Sequence, residues 1–269
     1  MMESSGRCLS ALTIGGSDSS GGAGIQADLK TFQRFGVHGA SVMTCVTAQN
    51  SLGVTHVEAL SCESVGQQIE AVVSDLVIPA LKTGMLYSSE LVEVVADALR
   101  SFAGCTVVDP VMVSRAGSRL LCGDAVASYQ QLLFPLAALL TPNLHEAALL
   151  TGREITCKED VEYAAQCLLE RGPKAVLIKG GGLPELAGQD FFADGDVSGR
   201  WCSQPAIATP HTHGTGCTLS AAITAALVHG APLADAVIQA KVYLDQALRK
   251  TFAFGHGPGC VGHTFEPVT

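Results

Sequence analysis

The feature that most narrows the fold of this chain is a rhythm in its apolar residues. Short apolar runs alternate with stretches of helical spacing, and most of the runs stop at a polar residue. Residues 11–14, 40–47, 105–108, 136–140 and 175–178 are runs of strand length. Residues 25–32, 63–76, 88–101, 160–171, 219–228 and 233–252 carry apolar positions at helical intervals, with Ser88 as a cap and Gly36 as a stop. Strands separated by helices predict a mostly parallel sheet, because a parallel connection must cross over a face of the sheet. Residues 54–60 alternate as an edge strand does, and residues 80–85 read as a short strand and turn. Residues 191–193 and 200–203 flank Asp194-Gly195-Asp196, a hairpin signal. A chain of 269 residues is near the upper size for one core, and no composition shift divides it. The expectation is therefore one α/β domain over residues 1–269, with helices on both faces of the sheet.

The polar residues after the strands carry the functional signal. Gln49, Asp109, Asn143 and Lys179 all follow apolar runs, and in an open α/β sheet those ends line the ligand crevice. The first run leads into a glycine-rich stretch, residues 15–24, and then a helix. Near residue 215 a second glycine stretch, Thr212-His213-Gly214-Thr215-Gly216-Cys217-Thr218-Leu219-Ser220, opens the helix at 219–228. Gly214 and Gly216 let backbone N–H groups converge, and the helix behind supplies unpaired amides and a positive dipole end. That combination suits a phosphate. Cys217, near the first turn, is expected as a thiolate. Asp109 or Glu146 could hold Mg²⁺ through hard oxygens, and Lys179 could neutralise phosphate charge. Each has a plainer reading: Asp109 as a turn residue before Pro110, Asn143 as a helix N-cap with Glu146 at N3, Lys179 as a solvated lysine.

Composition excludes other classes. The net charge of −9 argues against nucleic-acid and anionic-membrane partners. No apolar run is long enough to span a bilayer, and Met1 to Ser10 contain no apolar core of a signal peptide, which suggests a cytoplasmic protein. The ten cysteines are scattered, with the closest pair at Cys157 and Cys167, so no metal knuckle is present.

Gly16-Ser17-Asp18-Ser19-Ser20-Gly21-Gly22-Ala23-Gly24-Ile25-Gln26-Ala27-Asp28-Leu29-Lys30-Thr31 closely resembles the opening of the hydroxymethylpyrimidine (phosphomethylpyrimidine) kinases of thiamine biosynthesis. So do Thr47-Ala48-Gln49-Asn50, Lys82-Thr83-Gly84-Met85-Leu86, Asp109-Pro110-Val111-Met112, Thr141-Pro142-Asn143-Leu144-His145-Glu146-Ala147 and His213 through Ala222. The resemblance implies a three-layer, ribokinase-like α/β/α fold, commonly dimeric. It implies two phosphorylations that use ATP and Mg²⁺, of 4-amino-5-hydroxymethyl-2-methylpyrimidine and then of its monophosphate. By motif position the pyrimidine would meet Gly16, Ala23, Asp28, Gln49, Met85 and Val111. Nucleotide and metal would meet Asp109, Asn143, Glu146, Lys179, Thr212, Lys241 and the Gly214-Thr215-Gly216-Cys217 loop, with Cys217 as the base where sugar-kinase relatives carry Asp. The chain departs from the usual pattern at Gly182 and His211, in the nucleotide loops, and at Gly259-Cys260. Two other readings compete: a pyridoxal or pyridoxine kinase, and a non-catalytic pyrimidine sensor. The complete glycine loop with Lys179, Asn143 and Glu146 disfavours the sensor.

Overall fold

Strand β1, Ser10–Asp18, runs through the middle of the molecule with every residue buried. The computed structural model describes residues 8–112, 125–195 and 199–263. Around β1 lie β2 (His38–Asn50), β3 (Gly53–Ala59), β4 (Ala80–Thr83), β5 (Cys105–Val108), β6 (Leu139–Leu140), β7 (Ala175–Lys179), β8 (Gln189–Asp194) and β9 (Arg200–Ser203). They form one sheet in the order β3-β2-β1-β4-β5-β6-β7-β8-β9. The pairings from β2 through β7 are parallel, while β3, β8 and β9 are antiparallel additions at the two edges. This is the mostly parallel α/β sheet that the apolar rhythm predicts.

Alternate residues of the strands face opposite ways, so two cores form. Leu12, Ile14, Leu81, Val108, Leu140, Val176 and Ile178 face one side. Helices α2 (Cys62–Val73), α3 (Ser89–Leu99), α4 (Ala125–Ser128), α5 (Leu144–Thr151) and α6 (Lys158–Leu169) cover it. Val107, Leu139, Ala175 and Leu177 face the other side. There α1 (Gly24–Arg34), α7 (Thr215–Val228) and α8 (Leu233–Arg249) close the third layer. The chain leaves β1 for β2 through α1 on one face, then builds β4 onward through helices on the other. Strand order therefore reverses beside β1, and the crevice at that reversal is where the fold leaves room for ligands.

Several boundaries differ from the sequence reading. Strand β1 runs on through Gly15-Gly16-Ser17-Asp18, because those residues pair with β2 despite their composition. Only Leu139 and Leu140 of the run at 136–140 are strand. Residues before them belong to a helical segment that sequence periodicity did not reveal: α4, then a π-turn over Tyr129–Leu133, then a 3-10 turn over Phe134–Leu136. Pro135 and the change of helical pitch break the regular spacing that would have betrayed it. Helix α7 starts at Thr215 rather than 219, so the second glycine stretch is itself the first helical turn. The β8–β9 hairpin is present, and residues 196–198 of its turn lie outside the described residues. Among the described residues no helix is long and apolar enough to cross a membrane.

Two local arrangements set up the crevice. Asn143 caps α5 by accepting from the Glu146 amide at 2.9 Å, and Glu146 returns the bond by accepting from the Asn143 amide at 2.8 Å. This reciprocal cap fixes both side chains at the carboxyl end of β6. Burial pushes the Glu146 carboxyl up to about 7; the negative Asp109 adds to the rise, while Lys179 and the Asn143 and Met112 amides oppose it. The second arrangement lies under the crevice floor. Lys82 of β4 and Asp28 of α1 form an ion pair at 3.0 and 3.1 Å, with exposures of 1% and 2%, and the Thr13 hydroxyl donates to Asp28 at 2.7 Å. Burial opposes a charge on Lys82, but Asp28 and Asp109 outweigh it and hold the ammonium above the ordinary lysine range.

Breaking such a pair leaves an uncompensated charge in the core. Lys82→Met should destabilise the fold by roughly 3–5 kcal/mol, and adding Asp28→Leu should recover part of that loss; urea unfolding of the single and double variants checks it. The raised Glu146 carboxyl gives a second expectation. Its folded value lies above the unfolded one, so its stabilising contribution is full at low pH and is lost as pH climbs towards about 7. Gln at this position keeps the cap and does not titrate. The melting temperature of Glu146→Gln relative to the parent should therefore rise between about pH 5 and about pH 8. A falling difference in thermal melts would contradict the assignment.

Candidate functional site

A cavity of about 710 Å³ opens at the carboxyl ends of β1, β4, β5, β6 and β7. Every candidate named from the sequence lines it except Lys241, which lines an adjoining cavity of about 350 Å³ together with Asp190. The two cavities share Asn143, Lys179, Thr212, Thr215 and Gly216, so they form one continuous trough.

At the junction stands the N-terminus of α7. Gly214 caps the helix at φ 83°, and a side chain there would strike the Gly22 carbonyl, only 1.9 Å from a Cβ. The two glycine stretches are therefore in direct contact. The Gly216 and Cys217 amides fall in the first turn, where a helix has no internal acceptor to offer them. A Cβ on Gly216 would sit 3.3 Å from Lys179 Nζ, so the glycine keeps the approach to that ammonium open.

Lys179 donates to Asp109 at 2.9 Å, and Ser220 of α7 donates to the other Asp109 oxygen at 3.1 Å. Burial alone would raise the Asp109 carboxyl, but the Lys179 and Lys82 ammoniums outweigh it and hold it below the usual range. Burial works against the Lys179 charge too, and Asp109 and Glu146 outweigh it, so Lys179 is held above its ordinary value. Asp109, Glu146 and Lys179 thus form one buried charged group at the crevice. Among the described residues no cluster of three or more His, Cys, Asp or Glu side chains could cage a metal. Asp109 and Glu146, two hard carboxylates beside the α7 N-terminus, are of the donor type that fits Mg²⁺, which keeps several waters and takes only one or two protein carboxylates.

One expectation is corrected. Cys217 is not a thiolate in this setting. Burial pushes its thiol up to about 11; Lys82 and the Gly24 amide pull the other way, but Asp28 and Asp109 add to the rise. Desolvation defeats the helix end. Asp28 also lines the cavity, with its oxygens engaged by Lys82 and Thr13.

At the other end of the trough, Gly16, Ala23, Gln49, Met85 and Val111 share a wall. Gly16 has no room for a side chain, since a Cβ would lie 2.9 Å from both Cys45 Sγ and Met85 Cε. Met85 is itself aimed by two buried hydroxyls. Thr44 donates to its carbonyl at 2.7 Å, and Tyr129 of the π-turn donates to Gly84 O at 3.0 Å and accepts from the Leu86 amide at 3.3 Å. Tyr129 escaped the sequence reading because nothing local marks a tyrosine that reaches back to a distant turn.

Asp18 and His213 also escaped it as individual residues. Asp18 ends β1 and accepts from Ser20, Gly22 and Ala23 amides, the Ser20 hydroxyl and His213 Nε2. Burial would raise its carboxyl, but His213, Ser20 and the amides hold it down to about 2. Its place at a strand end was the available signal. Residues 259–261 cross behind His213: Gly259 donates to His211 Nδ1 at 2.8 Å, His213 N donates to Gly259 O and Val261 N to His213 O, both at 3.2 Å.

A family model described as phosphomethylpyrimidine kinase matches residues 18–262. A hydroxymethylpyrimidine/phosphomethylpyrimidine kinase of Synechococcus elongatus is 50% identical over 259 residues, 96% of this chain and 98% of that one. The crystal structure of a phosphomethylpyrimidine kinase from Clostridium difficile superposes with a TM-score of 0.79 at 40% identity, covering 89% of this chain and 99% of the other. A pyridoxal kinase from Staphylococcus aureus, solved with AMP-PCP and pyridoxal, gives a TM-score of 0.87 at 32% identity, covering 96% and 94%. With the match running from the end of β1 to the segment behind His213, the chain belongs to the phosphomethylpyrimidine kinase family.

Proposed function

We propose that this chain transfers the γ-phosphoryl group of ATP to 4-amino-5-hydroxymethyl-2-methylpyrimidine, and then a second one to the resulting monophosphate, supplying thiamine biosynthesis. The observation that carries the reading is the trough itself. An apolar wall with one amide side chain leads directly to a helix N-terminus beside a buried ammonium. A small polar ring and a nucleotide triphosphate need those two environments end to end.

The roles follow from position. Gln49 offers a donor and an acceptor that match an aminopyrimidine edge, and Met85 and Val111 offer apolar faces to the ring. The Gly214–Cys217 turn receives the transferring phosphoryl group, and Lys179 faces it across Gly216. Asn143, Thr212 and Lys241 line the stretch left for the nucleotide. Asp109 and Glu146 would hold Mg²⁺, which when bound shields phosphate charge. The Lys179–Asp109 pair keeps the ammonium in place before substrates arrive, so little reorganisation is left for the transfer.

Cys217 serves as a neutral orienting group for the hydroxymethyl oxygen. A neutral thiol suits both steps: the monophosphate enters already ionised, and a fixed carboxylate at the same place would repel it. A homodimer belongs to the same proposal, supported by the exposed Met43, Val46 and Leu52 on the β2–β3 ribbon.

Incubation with ATP, Mg²⁺ and the pyrimidine should give the monophosphate and then the diphosphate by mass spectrometry; absence of both would end this reading. Two variants probe its halves. Gly216→Val should lower transfer by roughly a hundredfold or more while the protein still melts cooperatively, since the added methyls meet Lys179 and the phosphate path. Tyr129→Phe keeps the ring but unties Gly84 and Leu86; KM for the pyrimidine should rise while KM for ATP holds, as steady-state kinetics with each substrate varied will show.

A further inference from the structure

Around Gln49, four polar side chains are linked: Ser19, Thr47, His213 and Asp18. The main chain of Gln49 is pinned by Ser19, whose hydroxyl donates to Gln49 O and accepts from Gln49 N, both at 2.8 Å. Its amide then spans from Thr47 Oγ1, 3.3 Å away, to His213 Nε2, 3.2 Å away. Asp18 Oδ2 lies 3.0 Å from the same His213 nitrogen.

A carboxylate can only accept, so His213 Nε2 must carry a hydrogen and donate it to Asp18. A protonated Nε2 has no lone pair, so an NH₂ group would find no acceptor there, and the end of the Gln49 amide that faces it is the carbonyl oxygen, sharing the N–H with Asp18. The other end is constrained independently. Thr47 has one hydroxyl hydrogen and gives it to Ser17 O at 2.9 Å. Towards Gln49 it can only accept, so the amide end beside it must be NH₂. Both constraints give one sense, with the oxygen at His213 and the NH₂ at Thr47, which is an amide flip of the arrangement in the structure, where Oε1 lies at Thr47 and Nε2 at His213. The opposite sense would set NH₂ against N–H at one end and oxygen against a spent hydroxyl at the other.

We propose that Asp18 and His213 form a specificity relay, in which Asp18 fixes the protonated nitrogen of His213 and His213 fixes the sense of the Gln49 amide. That sense sets the order in which donor and acceptor are shown to the ring. The inference rests on Gln49 being the ring contact, as proposed above. A 4-aminopyrimidine presents a donor at C4 beside an acceptor at N3. Its 4-oxo counterpart presents the reverse order. The ring cannot turn over to compensate, because its hydroxymethyl arm must point to the α7 N-terminus. His213 and Asp18 are thus positioning residues that select among rings through Gln49.

The first test reads the tautomer directly. Long-range ¹H–¹⁵N NMR of the unliganded parent protein at neutral pH should show His213 Nε2 protonated, with His213→Gln identifying the signal. An unprotonated Nε2 overturns the relay. The second test compares kcat/KM for the 4-amino ring and its 4-oxo analogue. The parent should favour the amino ring by roughly a hundredfold or more, because a site built for one pattern leaves the other unpaired. His213→Gln and Thr47→Val should each shrink that ratio about tenfold or more, with KM for ATP nearly unchanged. An equal fall for both rings would mean a merely structural role and would also overturn it. Gln49→Leu separates the two claims. If it leaves the ratio intact, Gln49 is not the ring contact. If it collapses the ratio while His213→Gln does not, the relay alone fails. Should the variants not fold, the tautomer decides.

Discussion

The site depends on holding ammonium groups inside a low-dielectric crevice before any substrate is there. Lys82 is buried and Lys179 is largely covered, and each has a carboxylate within about 3 Å, Asp28 and Asp109 respectively. Neither pair is a strong source of stability, since desolvation of two charges roughly offsets their attraction. What each pair does is fix a cation in place. Lys82 adds to the field at Asp109 and Cys217, and Lys179 stands at the mouth of the α7 helix end. Helix α7 and strands β4, β5 and β7 all deliver residues to this small charged group, so sheet order and helix placement are tied to its electrostatics.

The glycines do a complementary task, which is to let main chains come close. Gly214 nearly touches the Gly22 carbonyl, and Gly16 leaves no space beside Cys45 and Met85. A side chain at Gly214 would drive the α7 N-terminus away from the first glycine stretch, and one at Gly16 would press on Cys45 and Met85. The two ends of the trough are therefore a single construction, bound through the Asp18–His213 contact as well as through the sheet.

Much of this was legible in the chain. Parallel strands, edge hairpins and the strand-end positions of Asp109, Asn143 and Lys179 followed from apolar spacing, because backbone geometry dictates where a strand's last residue points. The Asn143–Glu146 cap was legible too, since it is local. What was not legible is what distance in sequence hides. Lys82 in an apolar strand gave no sign of Asp28, and Tyr129 sits in a helix whose pitch changes twice. The protonation of Cys217 was misread for a related reason: a helix end is visible in sequence, whereas the burial that overrules it belongs to the assembled fold.

Residues 259–261 have a bearing on how the molecule is made. They pair with His211 and His213, and His213 reaches Asp18 at the end of the first strand. During synthesis, β1 through β9 can assemble their sheet while the loop ahead of α7 still lacks its backing strand. Completion of the loop ahead of α7 thus waits on a segment made after the sheet. A chain cut short beyond α8 would lose the buried Val261 together with the brace that aligns its two glycine turns.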